Sequence, residues 1–183
     1  MKIRYIFLFP IVALTGCFHF APKGADPNGV IYAMAKLPGH FRDSVVKVSS
    51  NTAVPTPPFW YMLARDYNAG DHMKVITVQH GHITNVMGAP DNKGSKRDSL
   101  AVAYSQTYPI NRSKVLIDSA YVWNKAGRYT ETKGAQLTDA KMALTQQNAA
   151  AAPVWTVRCF DVKKQLVGQI VISATTGKTL LAQ

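Results

Sequence analysis

Acidic residues are scarce, with ten Asp and Glu against 21 Lys and Arg in 183 residues, a formal net charge of +11. The few acids are also scattered, so no pair of carboxylates stands out for general acid–base work. Cysteine is scarcer still, with two residues, Cys17 and Cys159. The apolar run Ile6 to Leu14 is nine residues long, too short to span a bilayer, which needs about 20. No His-Glu pair on a helical stretch and no glycine-rich phosphate loop is present: Gly177-Lys178-Thr179 has Ile172 where such a loop needs its first glycine.

What remains is ordinary for a globular chain. A hydrophobic content of 47% suffices for a core, and the length suits one domain or two very small ones. The basic residues, among them Lys36, Lys74, Arg112, Arg128 and Arg158, are spread along the chain, and only Lys93 to Arg97 is dense. A nucleic-acid binder concentrates charge on one helix or stripe with stacking aromatics, so no nucleic-acid partner is expected. A surface of this sign is drawn to anionic partners, as at a negatively charged envelope.

The N-terminus carries the clearest signal. Lys2 and Arg4 precede the apolar run, which is the layout of a secretory leader, and the run ends in Leu14-Thr15-Gly16-Cys17. These four residues resemble the lipobox of bacterial lipoproteins, in which the Cys thiol receives diacylglycerol and becomes the new N-terminus. The resemblance implies a signal peptide over 1–16, lipidation at Cys17, a tether over 17–27 and a mature net charge of +9 once Lys2 and Arg4 are lost. Acyl chains contribute about 0.8 kcal/mol per buried methylene, so two or three of them hold a protein at the membrane. Phe18, where Asp would retain an inner-membrane lipoprotein, implies an outer-membrane anchor facing the periplasm. With Cys17 acylated, Cys159 has no disulfide partner, and its strand-like setting predicts a buried, inert thiol.

Beyond the tether, the periodicity predicts a helix over 28–37 stopped by Pro38-Gly39, and strands over 44–50, 59–64 and 73–78. A second set follows: a helix over 118–126 capped by Asp118 or Ser119 and stopped at Gly127, then strands over 140–145, 154–160 and 166–173. The halves also match residue by residue. Trp60 aligns with Trp155, Met62 with Val157, Ala64 with Cys159, Asp66 with Asp161 and Val75 with Ile170, and one inserted residue brings Gly81 onto Gly177.

Val115-Leu116-Ile117-Asp118-Ser119, then Pro153-Val154-Trp155-Thr156-Val157, then Ala174-Thr175-Thr176-Gly177-Lys178-Thr179-Leu180 resemble a PepSY-like domain. The likeness covers about residues 113–182. It implies an α+β fold of tandem small units, each a helix packed on an antiparallel β-sheet. The clear unit spans 113–183 and a degenerate one 28–89, with a linker over 90–112. It also implies a non-catalytic module that binds proteins or peptides and restrains an envelope protease, with the membrane as a second partner through the lipid. No cofactor is expected.

Two further patterns bear on chemistry. His72, His80 and His82, with Asp71 nearby, are the best metal candidates, and metal or small-ligand binding is the alternative function; spacing alone leaves them exposed turn histidines. Ser44-Val45-Val46-Lys47 spells S-x-x-K, but in an alternating strand its Ser and Lys point to opposite faces. Trp60 and Trp155 are the candidate binding aromatics, with core packing as the plainer role.

Overall fold

Period-2 alternation of apolar and polar residues lays one flank of most strands against a core. A computed structural model describes residues 26–51, 55–69, 72–88 and 108–183. Its strands are β1 Val45–Ser50, β2 Phe59–Asp66, β3 His72–Gln79, β4 His82–Gly88, β5 Asp139–Thr145, β6 Val154–Phe160, β7 Leu166–Ser173 and β8 Thr179–Ala182. Helices α1 Val30–Ala35 and α2 Gly39–Arg42 precede β1, and α3 Ser119–Thr132 precedes β5. The fold is α+β.

The expectation of separate small sheets is corrected. All eight strands form one antiparallel sheet in the order β4-β3-β2-β1-β5-β6-β7-β8. The first strand of each half meets the other at the centre, with Lys47 opposite Thr145 and Ser50 opposite Met142. Left apart, β1 and β5 would each expose a row of unpaired backbone N–H and C=O groups; together they remove two edges.

Trp60 and Trp155 sit on β2 and β6 at 1% and 0% exposure, facing the helices, with ring centroids 6.1 Å apart and planes tilted by 54°. Each indole N–H donates to the carbonyl two residues before a helix, Trp60 to Asn28 at 2.7 Å and Trp155 to Ile117 at 3.0 Å. Both polar tips are therefore satisfied inside the core, where Val30, Met34, Val122 and Ala126 of the helices meet Met62, Ile76, Val157 and Ile170 of the sheet. This corrects their candidacy as binding aromatics, because neither ring reaches the surface.

Asp118 joins the halves at the helix ends. One carboxylate oxygen accepts from the Ser119 N–H at 2.7 Å, capping α3, and from the Val30 N–H at 2.8 Å in the first turn of α1. Gly29 is required opposite it, since a Cβ there would lie 2.2 Å from the other carboxylate oxygen.

Two sequence expectations shift. Gly127 does not stop α3, because Val122, Ala126 and Thr130 continue one buried stripe, and the helix ends where Gly134 adopts φ +71. Ile170 is equivalent to Ile76, not Val75: Ile76 pairs with Met62 as Ile170 pairs with Val157. The one-residue slip falls where β6 and β7 break register, between Cys159 and Phe160, whereas β2 and β3 pair without interruption.

Asp118→Ala removes a cap from two helices, each worth about 1 kcal/mol, so urea unfolding should show a loss of about 2 kcal/mol, and Asp118→Asn, which keeps an acceptor oxygen, should lose much less.

Candidate functional site

Most sequence candidates are occupied by structural duties. Ser44 is buried, and its single hydroxyl proton is taken up by the backbone, with the Arg65 carbonyl at 2.7 Å and the Phe41 carbonyl at 3.0 Å. Asp66 and Asp161 each start a turn, accepting from the N–H of Asn68 and of Lys163. Cys159 is buried on β6, and burial raises its thiol from an ordinary 9.0 to about 11, so it stays a neutral thiol at physiological pH. Cys17 and Asp71 lie outside the described residues.

The histidine corner is taken apart. His72 opens β3, whereas His80 and His82 lie past its other end, about 25 Å away along an extended strand. His80 bonds the side chain of Asn28 through Nδ1. Among the described residues, no three His, Cys, Asp or Glu side chains converge as metal ligands.

What the sheet does present is its second face. The helices cover the flank bearing Trp60 and Trp155, so the residues between the core positions point away from them. On that outer flank the strand registers line up Thr77, Tyr61, Ser49, Ala143, Thr156 and Val171 as one continuous row across six strands. Leu63 and Val75 form part of a parallel row, and Tyr61 is 41% exposed. The helices α2 and α3 make their sheet contacts with β2, β6 and β7 from the core side.

The charge on this flank is one-sided. Among the described residues, Lys47, Arg65, Lys141 and Arg158 lie on it, against Asp139 as the one acid. Lys141 and Arg158 stand directly opposite each other on β5 and β6, both exposed. Like charges in that position destabilise a sheet by a few tenths of a kcal/mol or more. Both lean over the same ring: Lys141 Nζ is 5.7 Å and the Arg158 guanidinium 5.8 Å from the centroid of Phe160. Each gains a cation–π contact there, and an anion placed between them would relieve their repulsion.

Sequence reading could not find this corner, because the opposition of Lys141 and Arg158 exists only in the register of β5 on β6. Replacing one cation should expose its cost: Lys141→Glu turns a like-charge pair into an opposite-charge pair and should raise stability by about 0.5 kcal/mol in thermal or urea unfolding.

A scan against protein-family models and searches of curated proteins and of solved structures found no match to this chain.

Proposed function

We propose that this chain is a lipid-anchored, non-catalytic binding module of the bacterial cell envelope, whose open sheet face takes an acidic segment of a partner protein. The tether is the lipid on Cys17, and the compartment is the periplasmic side of the outer membrane. The observation that carries the reading is the Lys141–Arg158 opposition around Phe160, set in a half-apolar face that crosses the sheet. A carboxylate between the two cations removes their repulsion and forms charge-assisted hydrogen bonds, while Tyr61, Leu63 and Val171 offer apolar contact to the same partner.

The tandem PepSY-like reading agrees with this role. Each half of the chain places a helix before four meandering strands, and each holds a Trp whose indole bonds the backbone just before that helix. An envelope protease restrained by such a module would present an acidic surface or segment to the face. Against catalysis stand the duties of the hydroxyl and thiol groups described above: the Ser44 proton is committed to backbone carbonyls and Cys159 is buried.

Two experiments test the proposal. Envelope protein captured on immobilised wild-type chain should be acidic, should elute as salt rises, and should be lost on the Lys141→Glu, Arg158→Glu variant, which removes both cations from the surface. Equal capture by the variant would place the partner elsewhere and overturn the assignment of the face. Separately, Cys17→Ser should move the protein from the membrane fraction to the soluble fraction; unchanged membrane retention would sink the lipid anchor.

A further inference from the structure

The two halves differ most in their helices. α1 ends at Ala35 after six residues, while α3 continues for 14 residues to Thr132. The extra turns overhang β7 and the edge strand β8, and between them lies a groove of about 400 Å³. Tyr121, Lys125, Arg128 and Tyr129 form its helix side, with Ile170 and Thr179 beneath. That volume suits a small ligand.

The walls are held by close approach. The Tyr129 hydroxyl donates to the Gln183 carbonyl beside Gly168, where a Cβ would lie 2.1 Å from the hydroxyl oxygen and 2.3 Å from that carbonyl. Tyr121 packs on the turn at Gly177, whose φ is +70 and where a Cβ would stand 3.0 Å from the ring. A glycine inside a strand weakens it, so Gly168 in β7 marks a place where another group must come near. Here that group is the phenol closing one end of the groove.

The chemistry of the lining is one-sided as well. Among the described residues, Lys125 and Arg128 are its charged side chains, and no Asp or Glu lines it. Lys125 Nζ lies 5.9 Å from the Tyr121 centroid, and among the described residues neither Lys125 nor Arg128 makes an ion pair. Arg presents a planar fork suited to an oxyanion, and two phenols offer flat apolar faces, with the Tyr121 hydroxyl as a donor.

We infer that the groove between α3 and β8 binds a small organic oxyanion, a carboxylate or phosphate on a flat apolar body. Its charged end meets Lys125 and Arg128 and its body lies between Tyr121 and Tyr129. The site is independent of the sheet face carrying Lys141 and Arg158, because the groove lies on the helix side of the sheet.

The test is a titration of the full-length, isotope-labelled chain with phenyl phosphate and with benzoate, followed by amide chemical shifts, with benzyl alcohol as the neutral analogue. Expected are saturable shifts at Lys125, Arg128 and Thr179 with at least one of the two anions, and affinity at least tenfold weaker for benzyl alcohol. Lys125→Gln with Arg128→Gln, two surface changes on a helix, should weaken the anion at least tenfold and leave the remaining spectrum in place. Lys141→Glu with Arg158→Glu should leave the groove affinity unchanged, so the groove and the face fail separately. Binding equal for the neutral analogue, unaltered binding in the Lys125, Arg128 variant, or the absence of saturable shifts in the groove with both anions would overturn the inference.

Discussion

The pairing of β1 with β5 is the constraint on which the rest of the structure depends. It turns two four-stranded meanders into one sheet with a continuous face on each side. A four-stranded sheet under one short helix has little area to bury, and α1 alone is only six residues long. Once the sheets are joined, the two halves share a single core in which Trp60 and Trp155 are neighbours. The Asp118 carboxylate completes the junction above the sheet by serving both helices, and Gly29 keeps the space for it open. The same joining removes two of the four sheet edges that would otherwise invite pairing with another chain.

The strict alternation of strands separates stability from recognition. Val157 and Cys159 on β6 point into the core, while Arg158 and Phe160 point the other way. A substitution on the outer flank thus leaves the packing of the Trp pair untouched, and the outer flank can carry cations that the fold would not select. Lys141 opposite Arg158 is such a feature, adverse for the sheet and favourable for an anionic partner.

The strands that bury alternate residues were legible in the sequence, as were the helix starting at Asp118 and the match of Trp60 with Trp155. β4 and β8 were not. β4 reads His-Ile-Thr-Asn-Val-Met-Gly and is almost wholly exposed, and β8 has only four exposed residues, so neither carries the core-facing alternation that reveals a strand. They are defined instead by hydrogen bonds to β3 and β7. Gly127 misled as a helix stop because local propensity is outweighed by burial of Ala126 and Thr130. The histidine corner failed for the opposite reason: nearness in sequence to one strand's two ends implies distance when that strand is extended.

The sites are the least legible part because both depend on what stands across from what. A cross-strand pair needs the register of two strands, which periodicity within either strand does not give, and a groove needs the overhang of a helix beyond the sheet it covers. Scarcity of acid was the one clue available in advance. With cations in such excess, any surface where they outnumber the carboxylates holds unbalanced charge, and that charge is stabilised most by a partner of the opposite sign. The sheet face and the α3 groove are two such places on opposite sides of one sheet, built around different cations. Their ligands are therefore set by local geometry: a broad, half-apolar plane suits a protein segment, and a narrow channel between two phenols suits a small molecule.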